Sequence, residues 1–346
     1  MTLETGFERI ELPLERPFVI ARGTSEIAEN VLVTIEDEQG RRGLGAGAPI
    51  ARYGETIDSV EALLPALLDV VEDVGDPHDL QRIERRIRGS VRGNPAARCA
   101  ISIALFDLLG KRLDLPLYRF FGFDPERAGV TSYTIGIGDP ETVRERAEEA
   151  IARGFSILKV KLDADHTVDI LEAVRKGAPD ATIRVDANEA WTSGEAVRNS
   201  ERIAPYDVEF VEQPVPAEDH DGLRYVHERS PIPIAVDESC VDSTDVARLA
   251  DRASVVVLKL EKCGGIAETI RAIHAARAHG LSIMLGCMIE TNASIAAACH
   301  LSPLVDYADL DGSLLLADDP YTGVPIRDGT IELGSVDRSG TGARRV

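Results

Sequence analysis

From residue 130 onward the chain repeats one pattern: a short apolar, β-branched run, then a stretch with apolar residues at helical spacing. The runs are SYTIGIG, SILKVKLD, TIRVDAN, VEFVEQP, PIAVDES, SVVVLKLE, LSIMLGCM and YADLDGS. Equivalent positions in the second to eighth runs are Lys161, Asp186, Glu212, Asp237, Lys259, Leu285 and Asp309, which lie 22 to 26 residues apart. A strand–helix unit repeated at that interval predicts parallel strands joined by crossover helices. Eight such units predict a closed α/β barrel rather than an open sheet. The charged residues fall late in their runs, at the C-terminal strand ends where barrels carry their chemistry.

Before residue 120 the pattern is mixed. NVLVTIEDEQGRRGLGAGAP alternates around a turn and predicts a β-hairpin. SVEALLPALLDVVEDV and AARCAISIALFDLLGKRL carry apolar residues at helical spacing. The glycines of GLGAGAP fit a hairpin strand better than a phosphate-binding turn. RPFVIARGTSE reads as a loop that closes over the barrel, and ARYGET, with Arg52 and Tyr53, as a second lining. After residue 312, VPIRDGTIEL predicts another hairpin, in a tail that returns to the N-terminal region.

Charge narrows the partners. With 59 acidic and 38 basic residues the net charge is −21, a surface that repels nucleic-acid backbones and anionic lipid. The acids are spread along the chain, which points to a high-salt-adapted, halophilic surface. Five scattered cysteines without a CxxC pair suggest reduced thiols in a cytoplasmic protein. The start MTLETGFERI lacks a signal-peptide pattern, and no apolar run approaches membrane-spanning length.

Only six of the 38 basic residues are lysines. Four of them lie in two runs, LKVKLD (Lys159, Lys161) and LKLEKC (Lys259, Lys262). Side chains alternate along a strand, so Lys159 and Lys161 point the same way and depress each other's pKa. Two solvated strand lysines would be the ordinary reading, but a chain that replaces lysine by arginine elsewhere has kept these. A lysine of lowered pKa can accept a carbon-bound proton; arginine cannot.

Asp186, Glu212 and Asp237 end three successive runs. At equivalent strand ends three carboxylates repel unless a cation lies among them, and an all-oxygen set suits Mg²⁺, with Mn²⁺ as a substitute. No His or Cys is placed to make a zinc site. In a closed barrel the second and sixth strands face each other, so Lys161 and Lys259 would flank a bound substrate on opposite faces. One could remove an α-proton and the other return it, inverting the centre.

KVKLD, RVDAN, FVEQP, AVDES and LKLEKCGGI, in that order, resemble the enolase superfamily, muconate-lactonising subgroup, and the similarity runs over nearly the whole chain. The resemblance implies a (β/α)7β TIM-type barrel over 123–312, an α+β capping domain with active-site loops over 1–122, and a return to the cap over 313–346. It also implies Asp186, Glu212 and Asp237 on the metal, Lys161 and Lys259 as the acid/base pair, and Lys159 as electrostatic helper.

The subgroup includes cycloisomerases, o-succinylbenzoate synthases, N-acylamino acid racemases and dipeptide epimerases. Asp309 and Asp311 offer two carboxylates to a cation such as a dipeptide's ammonium, and the Asp-x-Asp and GCMIET resemble the dipeptide epimerases. Arg22 matches an arginine that Ala-Glu epimerases use for the substrate's side-chain carboxylate. Thr134, Asn188 and Met288 complete the candidate substrate-binding set. The expected partners are a dipeptide and further copies of this chain in a homo-oligomer. Another subgroup activity, a Schiff-base lysine aldolase and a non-catalytic metal-binding relative are the alternatives; the aldolase needs no acid triad.

Overall fold

Val31, Val33 and Ile35 alternate along one strand and bury one face against a helix carrying Val60, Leu64, Leu67 and Val71 at helical spacing. In this computed structural model, which describes residues 2–163 and 165–346, that contact forms the core of an N-terminal cap. Its sheet is β1 (Leu3–Ile20), β2 (Gly23–Asp37) and β3 (Arg42–Gly47), all antiparallel. Helices α1 (Ile57–Val74), α2 (Leu80–Ser90) and α3 (Pro95–Leu113) follow, and a short α4 (Leu117–Phe121) ends the cap.

The glycines of GLGAGAP are spacers. A Cβ on Gly43 or Gly45 would stand 2.1 or 2.2 Å from the carbonyl oxygen of Ala104 or Ala100, so their absence lets α3 lie directly on β3. The predicted hairpin over NVLVTIEDEQGRRGLGAGAP is the β2–β3 pair.

RPFVIARGTSE is not a free loop. It is the tip of a β1–β2 hairpin in which Phe18 pairs with Ser25, Val19 with Thr24 and Ile20 with Gly23. Ala21 and Arg22 make the turn. The pairing carries no Asn-Gly or Asp-Gly signature, and its apolar run, Phe18 to Ile20, is half-buried.

The barrel strands are β4 (Tyr133–Ile135), β5 (Ile157–Lys161), β6 (Thr182–Asp186), β7 (Val208–Glu212), β8 (Ile234–Val236), β9 (Val255–Lys259), β10 (Ser282–Gly286) and β11 (Tyr307–Asp309). They are parallel and pair in chain order. At the seam, Ser132 N donates to Ala308 O at 3.1 Å. Helices cover the outside, so the strands are buried on both faces. Each fully buried Val, Ile or Leu contributes roughly 1.5–3 kcal/mol. Helices follow β4 to β10: α5 (Pro140–Ala152), α6 (Thr167–Gly177), α7 (Ser193–Ile203), α8 (His220–Arg229), the four-residue α9 (Val246–Leu249), α10 (Leu260–Cys263) with α11 (Ile266–Ala278), and α12 (Asn292–Leu301); β11 is followed only by a 3-10 turn. The architecture is (β/α)7β.

The tail touches both parts. Ile326–Arg327 and Thr330–Ile331 form the predicted hairpin, and Thr131 N donates to Gly329 O at 2.8 Å at the barrel. Ala317 N donates to Pro13 O at 2.8 Å, and Thr341 N to Asp107 Oδ1 at 2.7 Å in the cap. His300, fully buried on α12, joins three segments: Nδ1 accepts from Tyr118 N at 3.1 Å, and Nε2 lies 3.0 Å from Thr341 O.

Candidate active site

Parallel register brings the charged residues into one layer. Lys161 pairs with Asp186 and Asp186 with Glu212. On the far side Lys259 pairs with Gly286 and Gly286 with Asp309. β5 and β9 are four strands apart in either direction around the closed barrel, which sets Lys161 and Lys259 opposite one another. Gly286 is part of this geometry: a Cβ there would lie 3.3 Å from Lys259 Cε.

A cavity of about 510 Å³ opens over this layer. Lys159, Lys161, Asp237, Lys259, Asp309, Asp311, Thr134, Asn188 and Met288 line its floor and walls, and Arg22 its cap side. Asp186 and Glu212 lie beneath, with no exposed surface. Phe18, Ile20, Ile50 and Tyr53 from the cap roof it over. Arg52 is set back from this roof, on a neighbouring cleft.

The lysines and acids interlock. Lys161 Nζ lies 2.6 Å from Asp186 Oδ2. Lys159 Nζ lies 3.2 Å from Asp186, 2.9 Å from Glu212 and 2.9 Å from Asp309. Lys259 Nζ lies 2.9 Å from Asp237 Oδ2. Among the described residues no three His, Cys, Asp or Glu stand as a ready metal cage, and ammonium groups lie against the acids. The donor set nevertheless fits a hard divalent cation. It consists of carboxylates at the ends of adjacent strands, and Glu212 Oε2 is buried without a hydrogen bond despite its ion pair.

The expected depression of a lysine pKa is not met at Lys159 or Lys259. Burial opposes charge at Lys159, but Asp309, Glu212 and Asp186 outweigh it and hold the ammonium well above the usual lysine range. At Lys259 burial is likewise outweighed, by Asp237. Acids outnumber lysines at this layer, which pair counting along one strand could not reveal. Burial and Asp186 push Glu212 up to about 8. Asp186 and Asp237 are held low, their burial overcome by Lys161 and Lys259 respectively.

The substrate candidates are also engaged. Asp309 accepts from Ser132 Oγ at 2.5 Å as well as from Lys159. Asp311 Oδ2 accepts from Thr134 N at 2.6 Å, and burial beside Asp309 pushes it up to about 7. Arg22 Nη1 lies 2.7 Å from Glu238 and 3.2 Å from Glu189, so its guanidinium already faces protein carboxylates. Met288 Sδ lies 3.9 Å from Lys259 Nζ. Asn188, with φ of 43°, accepts no hydrogen bond at its buried Oδ1.

Three residues escaped the sequence reading of roles. Lys262, fully buried, donates to the carbonyls of Asp237, Cys240 and Val257 and to the Asp237 carboxylate; lysine scarcity had singled it out. Gln213, at φ of 35°, accepts from Asp237 N at 3.0 Å and donates to Ser239 Oγ at 2.8 Å, fixing the loop that carries Asp237. Glu238 holds Arg22. Their partners lie on other loops, so only their places beside Asp237, Glu212 and Lys259 signal them.

A capped (β/α)7β barrel with opposed strand-end lysines around a cluster of acids is the class this geometry defines. Comparison specifies it further: residues 5–122 match the mandelate racemase/muconate lactonizing enzyme N-terminal domain, and 142–344 the enolase C-terminal domain-like family. The chain belongs to this family of the enolase superfamily. It is 36% identical over 345 residues to the L-Ala-D/L-Glu epimerase of Bacteroides thetaiotaomicron, covering 99% of this chain and 88% of the relative. The crystal structure of a dipeptide epimerase from Enterococcus faecalis, complexed with Mg and L-Leu-L-Tyr, matches with TM-score 0.89 and 33% identity, covering all of both chains. An N-succinyl Arg/Lys racemase from Bacillus cereus matches with TM-score 0.90 and 26% identity over 100% of this chain and 96% of its own.

Proposed function

We propose that this protein is a Mg²⁺-dependent dipeptide epimerase that moves a proton by two-base 1,1-transfer at the carbon next to the C-terminal carboxylate. The observation that carries the reading is the placement of Lys161 and Lys259 on opposite walls of one roofed cavity. Each can reach one face of a carbon held between them, so one takes the proton and the other returns it with inverted configuration. Asp186, Glu212 and Asp237 would hold the cation, which when bound anchors the substrate carboxylate and offsets negative charge developing beside it. Lys159 adds a fixed positive charge under that centre. Gln213 and Lys262 position Asp237.

Asp309 and Asp311 face the same cavity and suit the ammonium of a dipeptide. The preferred second residue in this reading is acidic, of the Ala-Glu type, with Arg22 exchanging Glu238 and Glu189 for the substrate's side chain. Thr134, Asn188 and Met288 line the substrate's path. The working division is a cap over 1–122, a barrel over 123–312 and a returning segment over 313–346. We place the protein in a reducing cytoplasm, a reading supported by five unpaired thiols, and read its surface as halophilic and its assembly as homo-oligomeric.

The direct test is solvent deuterium exchange with a dipeptide library in Mg²⁺, read by mass spectrometry. Incorporation at the C-terminal α-carbon with epimer formation is expected. One specific observation favours a second reading: Lys159 already neutralises Asp309, and a racemase of N-succinyl amino acids shares this fold. Faster turnover of N-succinylamino acids than of any free dipeptide would select that racemase reading instead.

A further inference from the structure

Behind the mouth of the active site a second cleft, of about 570 Å³, runs between cap and barrel. Five arginines line it, Arg52, Arg88, Arg92, Arg98 and Arg248, in a chain whose net charge is −21. Most of that surface repels anions, so five guanidinium groups in one concavity are an unusual concentration of cations for this chain. An arginine-rich chain could gather such groups by chance if each were matched by an acid. Three of them are: Arg52 by Glu189, Arg88 by Glu268 and Arg248 by Asp245, each at 2.7 Å.

The other two are not. Among the described residues neither Arg92 nor Arg98 has a carboxylate within ion-pair distance. Arg98, half-buried on α3, gives its Nε to the carbonyl of Gly93 at 3.2 Å and packs its guanidinium over Gly264. Burial, and then Arg88 beside it, lower its pKa and outweigh the more distant Glu55, Glu268 and Asp242. The carboxylates bordering the cleft are themselves committed: Glu218 to Arg52 at 3.0 Å, Glu238 to Arg22 at 2.7 Å, and Asp242 to Thr244 N at 2.8 Å.

A second observation is independent of charge. His220 lines the same cleft, and its buried Nδ1 has no hydrogen-bond partner. Buried polar atoms are ordinarily satisfied, so an orphan on a residue that lines a concavity marks a place that a bound water or ligand would fill. Planar guanidinium forks match the oxygens of phosphate and carboxylate groups.

We propose that this cleft is a second ligand site that binds a small oxyanion, phosphate or polycarboxylate in type, through Arg98, Arg92 and His220. It is separate from the catalytic layer, though Tyr53 lines both cavities and forms the partition between them.

The test is calorimetric titration of the full-length, Mg²⁺-loaded protein with inorganic phosphate and with propane-1,2,3-tricarboxylate, at ionic strength held constant with KCl. One saturable site is expected for at least one probe. It should weaken at least tenfold in Arg98→Gln and in Arg92→Gln and stay unchanged in Lys161→Ala, since Lys161 lines the other cavity and not this cleft. Tighter phosphate binding assigns a phosphorylated ligand, and tighter tricarboxylate binding an organic acid. Arg92 is exposed, so its variant reads the site without disturbing the fold. The proposal is overturned by the absence of saturable binding, by binding that survives in the arginine variants, or by binding lost in Lys161→Ala, which would put the anion at the catalytic layer.

Discussion

Lys159 Nζ stands 2.9 Å from Asp309 Oδ2 and, in the same position, 2.9 Å from Glu212. The ammonium therefore ties the substrate wall of the barrel to its acid cluster. Asp309 and Asp311 are not equivalent in consequence. Removing the Asp309 carboxylate unbalances Lys159 and reaches the chemistry of any substrate, whereas Asp311 touches only the Thr134 amide among these groups. Asp311→Asn should thus penalise free dipeptides selectively, by roughly 2–5 kcal/mol of apparent binding for a lost contact to a buried ammonium. Asp309→Asn should slow dipeptides and N-acyl amino acids alike. Comparison of kcat/KM for an Ala-Glu dipeptide and N-acetyl-glutamate in both variants decides it; equal losses in Asp311→Asn would remove the ammonium role.

Arg22→Ala should lower kcat/KM for dipeptides ending in Glu or Asp by about 1.5–3 kcal/mol, the value of a charged hydrogen bond, while dipeptides ending in Leu lose little. Arg22 now faces Glu238 and Glu189, and its loss also leaves Glu238 buried without its arginine. An equal penalty across all dipeptides would mean that Arg22 serves the protein's acids and not the substrate.

The division of labour between the lysines is open to a kinetic test. Lys161→Ala and Lys259→Ala should each stop epimerisation. Each can retain solvent-deuterium exchange from one epimer only, because the opposite base survives. Proton NMR of both epimers in D₂O separates the outcomes. Equal residual epimerisation in both variants would require a different acid/base pair.

The repeat was legible because barrel strands are short and buried on both faces, and their charged residues interrupt an apolar run at one end. Spacing singled out Asp186, Glu212 and Asp237 as candidates, and scarcity Lys159, Lys161 and Lys259; the structure brings all six into one layer. Interactions between strands were not legible. Whether Lys159 sits among acids that raise its pKa or beside a lysine that lowers it depends on Asp309, 150 residues away. The hairpin tip at Ala21–Arg22 was hidden because it lacks turn chemistry, and Gln213 because its work is to span two loops.

Asp237 should be the most sensitive of the proposed metal ligands. It faces Lys259 at 2.9 Å and the buried Lys262. Asp237→Asn should abolish activity and most of the rise in Tm that Mg²⁺ gives by binding the native state. It should also cost about 3–5 kcal/mol of stability without Mg²⁺, since a buried cation loses its partner. A melting shift with Mg²⁺ equal to that of the wild type would show that Asp237 is not a ligand.

A pH-dependent term in stability belongs to His300. Burial lowers its pKa to about 4, only partly offset by the hydrogen bond to Thr341 O. Nδ1 accepts from Tyr118 N, so a second ring proton has no room unless the junction of cap, barrel and tail opens. The unfolded chain takes up a proton near pH 6.5 and the folded chain near 4. Between these values the unfolded state binds more protons. His300 thus contributes stability that is fully present above about pH 6.5 and is lost as pH falls toward 4. At 1.36 kcal/mol per unit the loss is about 3 kcal/mol. His300→Gln should be less stable at pH 7.5 and should close most of that gap by pH 4.5, measured by urea unfolding. A constant difference between the two proteins across that range would show that the buried imidazole titrates no differently from an exposed one.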